Sequence, residues 1–158
     1  MCTLTKYETL ATHWVKITKD PETASTKAES LDEFITKREI PHIDFLKIDV
    51  EGHDADVLEG ADHLLKEHRV TVLKFEYGTL WSGDQKPHRL LSQVISKLDN
   101  YSYACYFEGK NAFLKLTQSC WSETLETRFW SNVFCFSLKS TRGTALAHAF
   151  DAMSLSFW

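Results

Sequence analysis

No basic run, no long apolar stretch and no C-x-x-C pair occurs in this 158-residue chain, and each absence closes off a class of function. Lys and Arg are scattered and the formal net charge is −4, so nothing forms an electrostatic footprint for nucleic acid or an anionic membrane. No apolar stretch approaches the roughly 20 residues that span a bilayer. The start, MCTLTKYETL, lacks the basic region and hydrophobic stretch of a signal peptide. The expectation is therefore a cytoplasmic protein with neither a membrane nor a nucleic-acid partner. Cys2, Cys105, Cys120 and Cys135 lie too far apart for a zinc cage or a dense disulfide framework. Reduced thiols are expected, with Cys105 and Cys135 serving as small hydrophobes inside apolar strands. Glycine is scarce too: six occur, at positions 52, 60, 78, 83, 109 and 143, and no two make G-x-G.

What is present suits one globular domain with a real core, since 43% of residues are hydrophobic and 25% charged. Residues 1–29 form a polar, turn-rich segment in which one short strand, at 13–17, and a loop over 19–27 (KDPETASTK) are expected. Ser30 and Glu33 have the S-x-x-E spacing of a capping box, which predicts a helix over residues 31–38, ended by Pro41. DFLKIDV, residues 44–50, reads as a strand covered on both faces. Val57, Leu58, Ala61, Leu64 and Leu65 then repeat at helical spacing over residues 55–67, with Asp54 available as N-cap.

The β-then-α order repeats, with a second strand at 70–76, a turn over 82–87, and a helix with inner face Leu90, Leu91, Val94, Ile95 and Leu98. Such alternation implies parallel neighbours in an α/β sheet. The pattern then changes to an antiparallel strand pair, 101–107 and 112–117, and one more strand at 132–138. A C-terminal helical tail over 141–158 would carry Ala145, Leu146, Ala149, Phe150 and Met153 on one side, leaving 30–140 as the main domain.

Lys47, Asp49 and Glu51 share a parity in the first strand, and Lys74 and Glu76 repeat the Lys-x-acid spacing in the second. If the two strands are parallel neighbours in matched register, Asp49 and Glu76 sit side by side at the sheet's carboxyl edge, where open α/β sheets bind ligands. A buried unpartnered carboxylate is costly, so each acid is paired with Lys47 or Lys74, bound to a metal, or facing a wet cavity.

The string IDFLKIDVEGHDADVLEGA, residues 43–61, resembles the signature of FkbM-type methyltransferases, with a strand ending K-I-D-V-E-G followed by a helix with V-L-x-G-A. SLDEFI at 30–35 and FEY at 75–77 are similar to the segments on either side. The resemblance implies an α/β, Rossmann-like class I methyltransferase sheet present in part: strands four to seven, mostly parallel, with antiparallel final strands and the seventh inserted beside the fifth. It also implies S-adenosylmethionine as cofactor and O-methyl transfer to a small-molecule or sugar-like hydroxyl acceptor. The strand and glycine-rich turn that would grip the cofactor have no counterpart, which implies a truncated domain.

Under that resemblance Asp49, Glu76, Glu51 and His53 are the candidate catalytic residues, and Asp49 also faces the cofactor. Each has a second reading. Asp49 is a general base or metal ligand, or else caps the next helix. Glu51 acts in the site or simply favours the helix dipole. His53 is a base or ligand, or a surface or capping residue, and Glu76 is a site acid or a salt-bridge partner of Lys47 or Lys74. No metal site is assigned, although Asp49 and Glu76 could together hold magnesium or manganese. Tyr77, Trp81, Trp121 and Trp130 line a substrate pocket or belong to the core. The alternative to an enzyme is an inactive half-domain that binds or dimerises through an open sheet edge.

Overall fold

The computed structural model describes residues 28–82, 90–110, 112–126 and 129–154. The expected strand at 13–17, the loop at 19–27, residues 83–87 of the turn, and His88 lie outside the described residues. Helix α1, Leu31–Lys37, starts on the expected capping box: Ser30 Oγ accepts from the Glu33 N–H at 3.2 Å, and the Glu33 side chain accepts from the Ser30 N–H at 3.4 Å.

Strand β1, Ile43–Lys47, stops three residues before its expected end. The Ile48 N–H still donates to Lys74 O, but Glu51 and Gly52 take left-handed φ values of 51° and 88° and turn the chain away. The single helix expected over 55–67 is two, α2 (Asp54–Glu59) and α3 (Asp62–Lys66). The break comes from far upstream, because Asp32 accepts from the backbone N–H groups of His63 and Leu64, both at 2.9 Å, and so starts a new helix there.

Strand β2, Val70–Tyr77, is followed by a 3₁₀ turn at Thr79–Ser82 and by α4, Leu91–Asn100. The first turn of α4 is capped from a distance by Glu126, which accepts from Leu91 N–H (2.8 Å), Ser92 N–H (3.0 Å) and the Tyr77 hydroxyl (2.9 Å). Strands β3 (Tyr103–Glu108) and β4 (Phe113–Lys115) form the expected antiparallel pair. Strand β5, Ser131–Ser137, then inserts antiparallel between β2 and β3, giving the sheet order β1-β2-β5-β3-β4. The fold is α/β with a mixed five-stranded sheet, in which β1 and β2 are the one parallel pair of neighbours among the described residues.

Alternate residues of the central strands feed two cores. Leu73, Phe75, Tyr77, Val133 and Cys135 pack with α1 to α4 on one face. On the other, Tyr106, Phe136 and Ala147 pack with Phe113, Phe134 and Phe150 beneath α5, Thr141–Met153. The face of α5 differs from expectation in part: Leu146 and Phe150 pack against the core as expected, but Ala145, Ala149 and Met153 are exposed, and Gly143 and Ala147 turn inward. Gly143 sets this rotation, because a Cβ there would lie 2.2 Å from the Ser137 carbonyl oxygen, and only glycine lets the helix approach β5 so closely.

The cysteines correct a further expectation. Cys105 and Cys135 are directly opposite each other on β3 and β5, with Cα atoms 4.1 Å apart, and form a disulfide instead of remaining two thiols. Sequence spacing hid this pairing, which exists only once β5 lies beside β3. Cys120 is free and exposed. No helix among the described residues is long and apolar enough to cross a membrane.

Candidate functional site

The parallel register Lys47↔Lys74 carries β1 and β2 to a common rim, and the next residues of each chain segment supply acids to it. Asp49 is exposed just past β1 and its Oδ2 pairs with Lys47 Nζ at 2.7 Å. Glu76, near the end of β2, lies beside it. Burial holds the Glu76 carboxyl above its ordinary range; the charges of Asp49, Asp54 and Glu51, and a hydrogen bond with Asp49, act in the same direction. Lys74 is drawn elsewhere, to Glu108 at 3.4 Å and over the Phe134 ring at 4.6 Å.

Glu51 occupies the turn itself, exposed, with the positive φ that bends the chain toward α2. His53 takes the N-cap position of α2 without a side-chain cap bond, and its Nδ1 lies 2.9 Å from Asp56 Oδ2. The structure thus brings Asp49 and Glu76 together, with Glu51 contributing charge, and engages His53 along its own helix.

Asp54, read from the sequence only as an N-cap, reaches across to the neighbouring strand. It is fully buried, and its Oδ1 accepts from the Glu76 N–H at 3.1 Å. Burial pushes its carboxyl up; the backbone N–H groups of Glu76, Asp54 and Gly52 pull the other way. Asp54 Oδ2 has no hydrogen-bond partner among the described residues. The signal for this role was an acid at the first turn of a helix that follows a rim strand, but the partner is a backbone group 22 residues on, which no local pattern reveals.

Two indoles hold Glu76 from the other side. Trp81 Nε1 donates to the Glu76 carbonyl at 2.8 Å, and Trp130 Nε1 donates to Glu76 Oε1. Trp81 is buried against Phe75 and Tyr77, whereas Trp130 is largely exposed. Together with Gly52, Asp54, Glu76 and Leu80 these rings enclose a cavity of about 90 Å³. Gly52 permits it: a Cβ there would lie 2.5 Å from the Leu80 carbonyl oxygen. Tyr77 and Trp121 pack in or against the core, and His148 is exposed on α5.

The methyltransferase FkbM domain matches residues 5–105, which contain Asp49, Asp54 and Glu76. The chain belongs to the FkbM methyltransferase domain family. No curated protein matches it, and no solved structure does. In this FkbM domain the matched region includes β1, α2, α3 and β2, so the acids and Trp81 come from the family's own elements, while Trp130 comes from beyond them. Family membership points to methyl transfer. No group of three or more His, Cys, Asp or Glu among the described residues is arranged to hold a metal ion.

Proposed function

We propose that this FkbM domain takes part in S-adenosylmethionine-dependent O-methyl transfer to a hydroxyl of a small, sugar-like acceptor. The observation that carries the reading is the meeting of Asp49 and Glu76 at the carboxyl ends of two parallel strands, in the segment matched by the family. The sheet order supports a partial Rossmann-like reading, with β1, β2 and β3 as strands four, five and six and antiparallel β5 as strand seven, inserted between five and six.

An acidic rim fits a positively charged donor, and Asp54 Oδ2, without a hydrogen-bond partner among the described residues, adds to the negative field there. When bound, the donor would supply a methyl group on sulfonium, the sulfur–methyl bond breaking to leave a neutral thioether. Asp49 and Glu76 face the acceptor side: as its hydroxyl oxygen becomes bonded to the methyl carbon, its proton passes to one of the two carboxylates. A Glu76 carboxyl held above its ordinary range suits a general base. Asp54 holds the Glu76 backbone and Trp130 holds its carboxylate, so the base is oriented before any acceptor arrives.

Titration of the purified protein with S-adenosylmethionine by calorimetry tests this reading. Saturable heat at micromolar donor is expected, and its loss in Asp49→Asn would tie it to the rim. An absence of heat would remove the enzyme reading of this chain.

A further inference from the structure

Asn100, Asn111 and Asn132 are the asparagines of the chain, and only Asn100 stands in an N-x-S sequence, Asn100-Tyr101-Ser102. An asparagine with a hydroxyl residue two positions on, and no proline between them, is the acceptor sequence for an N-linked glycan. The fold places it where a glycan can stand. Asn100 is the last residue of α4 and is exposed, and Ser102, half-buried, takes a left-handed φ of 58° in the turn that leads to β3. Just past this turn the Tyr103 hydroxyl donates to the Val70 carbonyl at 2.8 Å, which sets the sequence beside the first residue of β2. Glu76 stands near the far end of that strand, roughly 20 Å away at about 3.3 Å per residue, so a bulky group on Asn100 leaves the rim clear.

Such a tripeptide recurs by chance, and in the cytosol it never meets the transferase. The independent observation is the disulfide. The Cys105 N–H donates to Thr117 Oγ1 at 3.1 Å and its carbonyl accepts from the Leu116 N–H at 2.8 Å, so both backbone groups turn away from β5. Cys105 and Cys135 are therefore an antiparallel pair without mutual backbone bonds, the kind in which facing side chains lie closest. Both are 0% exposed, so a reductant reaches the bond only if the sheet opens. A sealed bond of this kind belongs to chains that fold in an oxidising compartment, which in cells with an endoplasmic reticulum is also where N-linked glycans are added. We propose that Asn100 carries an N-linked glycan, added in the compartment where Cys105 and Cys135 are joined. In the transfer, the Asn100 amide nitrogen bonds to the anomeric carbon of a polyprenyl-diphosphate-linked oligosaccharide. The bond from that carbon to the diphosphate oxygen breaks, the amide gives up a proton, and the polyprenyl diphosphate leaves. The two thiols give their protons and electrons to a protein disulfide by exchange.

The test is mass spectrometry of the full chain isolated from the cells that make it. The peptide that contains Asn100 is expected to carry a glycan, and an amidase specific for N-glycans is expected to remove it, leave aspartate at position 100 and speed the protein's migration in a gel. Alkylation without reductant should leave Cys105 and Cys135 unmodified. Variants made in the same cells separate the site from the fold: N100Q and S102A should lose the slow form completely, whereas S102T, which keeps the hydroxyl, should retain it, with folding checked by circular dichroism. An unmodified Asn100 would overturn the site, as would a slow form that persists in N100Q and S102A. Alkylation of both cysteines in the untreated protein would overturn the oxidising compartment and restore the cytoplasmic expectation.

Discussion

Asp54 Oδ1 accepts a hydrogen bond from the Glu76 backbone N–H at 3.1 Å, so the first residue of α2 holds in place the strand residue that carries the rim's half-buried acid. Asp54→Ala leaves that N–H without its acceptor and is expected to cost about 1–3 kcal/mol in urea melts. Asp54→Asn keeps an acceptor but cannot ionise. Because the folded carboxyl lies above its free value of 3.8, the wild type loses stability relative to Asp54→Asn as pH rises from about 4 through the folded pKa, and the difference then levels off. Paired melts between pH 4 and 7 measure it. A flat difference would mean that Asp54 titrates as it does in the unfolded chain.

Removal of the base is expected to show in rate. Glu76→Gln should lower methyl transfer by roughly 10²–10⁴-fold. The pH profile carries the sharper signature: wild-type activity climbs as Glu76 ionises, at a pH above the ordinary glutamate range, and this limb is absent from the variant. Asp49→Asn removes the charge that helps hold Glu76 up, so the same limb should move to lower pH.

Glu126 gathers two backbone N–H groups of α4 and the Tyr77 hydroxyl onto one carboxylate. Glu126→Ala strands all three and is expected to lower stability by about 1–3 kcal/mol. Hydrogen exchange should speed up first at Leu91 and Ser92, which distinguishes loss of the cap from general loosening.

Gly143→Ala inverts a familiar rule. In an exposed helix interior this change gains about 1 kcal/mol. Here the new Cβ would meet the Ser137 carbonyl oxygen at 2.2 Å, so a loss of about 1–3 kcal/mol is expected. Thermal melts of Gly143→Ala against Ala145→Ser, on the exposed side of the same helix, check the sign.

Local pattern made much of the fold legible. The Ser30–Glu33 box, the apolar strands and the helical spacing of Leu91, Ile95 and Leu98 each depend on neighbours within one turn or one strand, and each stands close to where it was read. The rim was legible for a related reason, since two Lys-x-acid strands in parallel register need one further assumption to place Asp49 by Glu76. What escaped depends on distant partners. Asp32 splits α2 from α3 by capping a helix 31 residues away, Asp54 bonds across to β2, and Cys105 meets Cys135 only through the insertion of β5. The inward face of α5 was right at Leu146 and Phe150 and wrong at Ala145 and Ala149, because periodicity ranks those alanines above a glycine and takes no account of the close approach that glycine allows.

The Cys105–Cys135 bond also gives the chain a closed ring. With its ends 30 positions apart in the sequence, the ring takes in β4, the Trp130 wall of the cavity and most of β5. A single protease cut inside it separates no fragment: the nicked protein migrates as one species until a reductant is added, then as two. The indole that holds Glu76 thus stays tethered to the sheet even when the backbone on one side of it is severed.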